Sequence, residues 1–218
     1  MRAFILLFLI STAWAEPLTL AQQEQRIIQI QEKEPFDFLK QYTLMDVIET
    51  EPKSFRYGFK QAQNDGIVHI QKSPDQKLKF YNFNVSQGTM SEYEILAQYQ
   101  NPQVKTENFE SGFITNIYQT NINHQTIYLI QSQSKDDNIS GSISLRAITL
   151  QKNGIQKAFI FKTKRHQYDE ISVHYTYALD FDKIIKVEPH LNYIDFLIVN
   201  QNNQTQYRKT PNGFIYTP

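Results

Sequence analysis

The residues able to do acid–base or metal chemistry in this chain are few and scattered. Its five histidines, His69, His124, His166, His174 and His190, form neither H-x-H nor H-E-x-x-H, so no zinc motif is written locally. Carboxylates stand side by side at Asp136-Asp137 and Asp169-Glu170, and one residue apart at Asp180 and Asp182. General acid–base work needs two carboxyls facing one cleft in different environments, which adjacency alone does not supply. Turn formation is the simpler use of these acids, and Asp180 and Asp182 lack the remaining ligands of a calcium loop. Ser140-Gly141-Ser142-Ile143-Ser144 does not have the G-x-S-x-G order of a nucleophile elbow. His174 falls on the polar face of an alternating segment, as a solvated strand histidine does. The basic run Lys162-Thr163-Lys164-Arg165-His166 reads as a charged hairpin tip or, more sharply, as a docking site for an acidic partner.

Composition removes further chemistries. The 218 residues include no Cys, which excludes disulfides, thiol nucleophiles, Cys-ligated metals and a lipidated-cysteine anchor. The seven Gly, at 58, 66, 88, 112, 141, 154 and 213, fall at no G-x-G or P-loop spacing, so phosphate cradles are not expected. With 22 basic and 22 acidic residues, bulk attraction to nucleic acid or an anionic membrane is also not expected. No catalytic residue, metal or cofactor emerges.

The elements that must position any site divide into three parts. Arg2, the apolar run Ala3 to Ile10 and the small-x-small Ala13-Trp14-Ala15 read as a signal peptide cleaved after Ala15. No later segment reaches the roughly 20 apolar residues of a spanning helix. An exported chain without Cys, carrying 24 Gln and 15 Asn, points to the periplasm of a Gram-negative bacterium, or to secretion. Residues 16–53 then read as helical. Thr19 and Gln22 make a capping box, Leu20, Ile27 and Ile28 mark one helix face, and Phe38, Leu39, Tyr42, Met45 and Ile48 mark a second, ending before Pro52.

From Ser54 the period becomes two. Ile171, Val173, Tyr175 and Tyr177 alternate with Ser172, His174 and Thr176, as in a half-buried antiparallel strand. Eleven more segments read as strands: 67–71, 78–85, 92–100, 113–122, 126–132, 142–150, 155–163, 184–188, 193–199, 205–209 and 214–216. Asn153-Gly154 between ISLRAITLQK and IQKAFIFKT is a hairpin signal, and Asn202-Asn203 and Pro211-Asn212-Gly213 serve similarly. The expected fold is mainly β (α+β): N-terminal amphipathic helices packed on an antiparallel, mostly meander sheet, arranged as a barrel, sandwich or propeller. Residues 54–218 form the β domain, packed as one unit with 16–53.

Ser73-Pro74-Asp75-Gln76-Lys77-Leu78-Lys79-Phe80-Tyr81-Asn82-Phe83, then Gly88-Thr89-Met90 and Gln98-Tyr99, resemble a group of uncharacterised secreted bacterial proteins. That group carries an S-x-D-x-K-hydrophobic-R-hydrophobic-Y-x-W segment followed by G-G-T-M and Q-Y-K. Upstream, Ser54-Phe55-Arg56-Tyr57-Gly58-Phe59 is similar to its S-F-x-Y-x-F element. Phe83, Gln87 and Gln100 stand where the group has Trp, Gly and Lys. The resemblance implies a secreted β-rich fold and brings no reaction with it. Candidate binding residues in this stretch are Tyr81, Phe83, Gln87, Thr89, Met90 and Tyr99.

These readings point to contact by Tyr, Asn and Gln side chains, in a binding or inhibitor protein, including the immunity type. The partner would be another envelope or secreted protein. A hydrolase acting on envelope material, with its groups gathered from separate strands, is the alternative. An envelope assembly factor using strand edges is another.

Overall fold

Thr19 opens the first helix, α1 (Leu20–Ile28), through the expected capping box: its hydroxyl accepts from the Gln22 N–H at 3.3 Å and Gln22 Oε1 accepts from the Thr19 N–H at 2.9 Å. The chain is described by a computed structural model over residues 17–31, 37–86, 92–137, 139–176, 184–198 and 203–217. Residues 1–15, expected from the sequence to be a signal peptide, and the candidate residues Gln87, Thr89 and Met90 lie outside the described residues. Helix α2 (Leu39–Thr50) buries Leu44 and Ile48 and stops ahead of Pro52. The helical part then continues past residue 53 as a 3₁₀ turn (Pro52–Phe55) and a short α3 (Lys60–Asn64). Helix α3 begins at Phe59, in the left-handed region at φ 45°, with no side-chain cap of its own. The carboxylate of Glu24 on α1 supplies one from a distance. It accepts from the N–H groups of Gln61 at 2.9 Å and Ala62 at 3.0 Å.

Fifteen strands follow among the described residues, in three sheets. The first is a plain meander of β1 (His69–Lys72), β2 (Leu78–Asn84), β3 (Tyr93–Gln100) and β4 (Val104–Asn108). The second has the order β11-β7-β6-β5 and is built from β5 (Phe113–Ile122), β6 (Gln125–Lys135), β7 (Ser140–Gln151) and β11 (Glu170–Thr176). Strand β8 (Gly154–Lys157) also pairs with β7. The third has the order β10-β9-β15-β14-β13-β12. Its strands are β9 (Phe161–Lys162), β10 (Gln167–Tyr168), β12 (Ile185–Val187), β13 (Tyr193–Ile198), β14 (Asn203–Thr210) and β15 (Gly213–Thr217).

The sheets stack face to face, and strand alternation assigns each face to its own core. Tyr81, Phe83 and Leu96 of the first sheet pack against Ile27, Leu44, Ile48 and Phe59 of the helical part. The opposite face, with Leu78, Phe80, Ile95, Ala97 and Tyr99, meets Ile114, Tyr128, Ile130 and Ile148 of the second sheet. The far face of the second sheet carries Ile127, Leu129, Ile143, Leu145, Ala147 and Val173. It meets Ile185, Ile194, Tyr207 and Phe214 of the third. Helices and three sheets therefore form four successive layers, with no closed barrel. The two inner sheets are covered on both faces, which is why β2 and β3 are almost continuously buried instead of alternating.

Several local expectations are corrected. All pairs are antiparallel except β9 with β15, which run parallel. The strand expected over 155–163 is broken. The Ala158 N–H donates to Ala147 O in the second sheet, Ile160 N–H folds back to Ala158 O, and Phe214 N–H of the third sheet donates to Ile160 O. The chain changes sheets across these three residues, leaving the Phe159 side chain exposed. The turn expected at Asn153-Gly154 is centred one residue earlier. Gln151 pairs with Gly154, and only Gly154 has positive φ, 143°, a value that residues with a Cβ rarely adopt. A second two-residue hairpin, which carries no Asn-Gly signal, joins β5 to β6 through Asn123 and His124, at φ 52° and 62°. Both central residues are then left-handed, as a two-residue I′ turn requires. Strand β4, with the polar sequence VKTEN, and the two-residue β10 carry too little pattern to have been expected.

Candidate functional site

Alternation along β2 points Lys79, Tyr81 and Phe83 toward the helices, and all three are buried. Lys79 is 1% exposed, unusual for a lysine without a carboxylate partner, and none pairs with it among the described residues. Its Nζ donates to the carbonyls of Tyr57 at 2.6 Å and Ser54 at 3.2 Å. It also lies 4.5 Å from the Tyr81 ring centroid and 5.7 Å from that of Phe59, within cation–π range. Burial, reinforced by the nearby charge of Lys72, pushes the Lys79 ammonium down to about 7.

The Tyr81 hydroxyl donates to Gln98 Oε1 at 2.7 Å, and the Gln98 amide donates to Ser54 Oγ at 2.8 Å. Tyr57 donates its hydroxyl to Glu24 at 2.6 Å, and that bond, with burial, pushes its phenol up to about 12. The two stretches 54–59 and 73–83 are thus one structural unit. The turn after α2 supplies carbonyls that the β2 lysine and tyrosine occupy. Ser54, Lys79, Tyr81 and Gln98 are buried and hydrogen-bonded to one another or to the turn, with Tyr57 half-buried at the edge, so what the cluster can do is clamp the helical layer to the first sheet.

A second polar cluster closes the β1–β2 turn. Ser73 donates its hydroxyl to Asp75 Oδ1 at 2.7 Å and accepts from the Leu78 N–H at 3.0 Å, while Tyr128 of β6 donates to Asp75 Oδ2 at 2.7 Å. Partial burial opposes ionisation of Asp75. The Ser73 and Tyr128 hydroxyls and the Lys77 N–H nonetheless hold its carboxyl below the usual range.

The described candidate binding residues are therefore interior ones. Tyr81 and Phe83 are fully buried, and Tyr99 is 1% exposed with its hydroxyl donating to Glu107 at 3.1 Å. They present no ring to solvent, because the helical layer and the second sheet cover both faces of β2 and β3. The histidines do not meet either. His69 lies beside Phe113 with ring centroids 5.0 Å apart, His124 sits in the β5–β6 turn, and His174 is exposed on β11. Asp137 takes the N–H groups of Ile139 and Ser140 at 2.7 Å each, as a turn-forming aspartate does. Asp169 and Glu170 pair instead with Lys157 and Arg146. Asp180 and Asp182 lie outside the described residues. Among the described residues no three His, Asp or Glu side chains converge.

What the tertiary structure does bring together is one end of the stack. The end of β3, the Asn123-His124 turn, the β7–β8 turn and the Pro211-Asn212 turn border three adjoining clefts of about 350, 400 and 710 Å³. Their walls mix amides and hydroxyls, including Gln100, Asn123, Gln125, Thr149, Gln151 and Asn212, with Lys77, His124, Lys157 and Lys162 and with apolar groups such as Ile127, Phe159 and Ile160. No described carboxylate lines them. The wall is braced from within: Gln125 Nε2 donates to Thr149 Oγ1 at 3.0 Å, Asn101 Nδ2 to Leu150 O at 3.1 Å, and Asn123 N–H to Pro211 O at 3.2 Å. Amides with both donors and acceptors suit hydrogen bonding to another polar surface, and His124 stands in the same wall as the Thr126 and Tyr128 hydroxyls. Individually these residues are ordinary turn and strand-end amides, and no local motif sets them apart. Compared with protein-family models, curated proteins and solved structures, the chain matches none.

Proposed function

We propose that the chain is an exported, non-catalytic binding protein, of the inhibitor or immunity type, which recognises another envelope or secreted protein. The observation that supports this reading is the run of adjoining, amide-bearing clefts at one end of the stack, bordered by the end of β3 and three separate turns. A site for acyl transfer or hydrolysis needs a base within hydrogen-bond reach of a nucleophile or water. The clefts offer side-chain amides, which adapt their hydrogen bonds to a partner. The bracing of Gln125, Asn101 and Asn123 lowers the ordering cost that such a contact carries.

The test is capture of a partner from envelope extract by the Glu16–Pro218 chain, repeated with the double variant Gln125→Ala, Gln151→Ala. The expected result is one protein recovered in stoichiometric amount by the unaltered chain and lost with the variant, both chains having the same circular dichroism. Turnover of a cell-wall or lipid substrate, with no protein recovered, would replace this reading with the hydrolase one.

A further inference from the structure

The third sheet ends the stack. Its inner face packs on the second sheet through Ile194, Tyr207 and Phe214, and its outer face is open to solvent. Register identifies the side chains on that outer face. Gln167 stands opposite Lys162, Lys162 beside Ile215, Ile215 opposite Arg208, and Arg208 opposite Tyr193. A second row runs Lys186, Asp195, Gln206 and Thr217. These rows carry Lys162, Lys186 and Arg208 against the carboxylate of Asp195, and that carboxylate already accepts from Gln206 at 2.7 Å.

The β9–β10 hairpin adds more positive charge. Thr163 closes it, its N–H donating to His166 O at 2.9 Å and its hydroxyl accepting from the His166 N–H at 3.1 Å. Lys164 and Arg165 are thereby held at an exposed tip, and neither has an ion-pair partner among the described residues. Apolar groups accompany the charges. Ile215 is 45% exposed within the first row, and Tyr168 (44%) and Phe159 (55%) are exposed at the flanking edge.

We infer that the outer face of the third sheet and the β9–β10 tip form a docking surface for an acidic protein. Aromatic residues and Arg are enriched in protein–protein contacts, and the lysines around them supply the charge that steers a partner. A locally basic face on a chain of zero net formal charge complements a partner bearing Asp and Glu. Lys162 and Gln167 also line the second cleft, so the face is continuous with the amide-lined end. The inference rests on the binding reading above and adds the chemistry of the partner.

The experiment uses the Glu16–Pro218 chain with poly-L-glutamate as probe, and polyglutamine, double-stranded DNA and phosphatidylglycerol vesicles as comparisons. Poly-L-glutamate is expected to bind in low salt and to slow hydrogen exchange in β9, β10, β14 and β15. The triple variant Lys162→Glu, Lys164→Glu, Arg165→Glu should weaken that binding at least about tenfold, because each reversal replaces an attraction by a repulsion. Lys164 and Arg165 are exposed and Lys162 is half-buried, and unchanged circular dichroism establishes that the variant folds. Protection elsewhere, equal binding by the triple variant, or tighter binding of DNA or vesicles than of poly-L-glutamate overturns the inference. Its failure is separable from that of the binding reading. A captured partner lost with the cleft variant but retained by the triple variant sinks the basic face alone.

Discussion

Replacing Lys79 by Met tests whether a buried ammonium without a carboxylate sets the stability of this fold. In the unfolded chain the group has the ordinary value of 10.5, and in the folded chain burial lowers it to about 7. A base whose affinity for the proton falls on folding destabilises the folded state fully below its folded value. That penalty is relieved as pH rises through the window from about 7 to 10.5. Its full size is about 5 kcal/mol, and between pH 9.5 and pH 7 it grows by about 3 kcal/mol. Met is of similar length and removes the titration. It also removes the donor to the Tyr57 carbonyl, whereas Ser54 O keeps the Tyr57 N–H at 3.0 Å. At pH 9.5 that loss costs the variant about 1–3 kcal/mol. Lowering the pH to 7 should then shift the balance by about 3 kcal/mol toward the variant.

The assay is urea unfolding followed by far-ultraviolet circular dichroism, since the only Trp, Trp14, lies in the segment that reads as a signal peptide. The window between about pH 8 and 9.5 is the cleanest, because carboxylates and histidines titrate below it and tyrosines above. A stability difference between the two proteins that stays constant within about 0.5 kcal/mol across the window, with equal m-values, would refute the reasoning. It would mean that two carbonyls and two ring faces replace the hydration of the ammonium completely.

Three further outcomes follow from the polar clusters. Glu24→Ala should lower stability by about 2–4 kcal/mol in the same unfolding assay, because it orphans the N–H groups of Gln61 and Ala62 at the start of α3. Glu24→Gln should return the Tyr57 phenol from about 12 toward its ordinary 10.0, read by ultraviolet titration. Tyr128→Phe should cost about 1 kcal/mol at neutral pH by removing a donor to Asp75. Because the Asp75 carboxyl is held low in the folded chain, that difference should be present at neutral pH and shrink as acid protonates the carboxyl; a pH-independent difference would count against the cluster.

Local rules reached the elements of this fold but not their assembly. The Thr19-Gln22 capping box and the alternation from Ile171 to Thr176 are written within a few residues, so both were legible. The change of sheet at Ala158–Ile160 was not, because it depends on carbonyls of Ala147 and Ile160 meeting N–H groups from distant strands. Tyr81, Phe83 and Tyr99 read as contact residues while the sheet was pictured with one solvent face; a second covering layer makes them core.

By itself the sequence determined the composition and the periodicities. It established a chain without Cys, a helical N-terminal part and a long run of short β segments, because these depend on residue type and local spacing. Only the tertiary structure decided that the sheets stack in layers and that Lys79 is held by carbonyls without a carboxylate. It alone gathered the amide-bearing turns at one end and aligned Lys162, Ile215 and Arg208 on one open face. Those features depend on which strands become neighbours, and strand pairing joins residues far apart in the chain through faces that no local window contains.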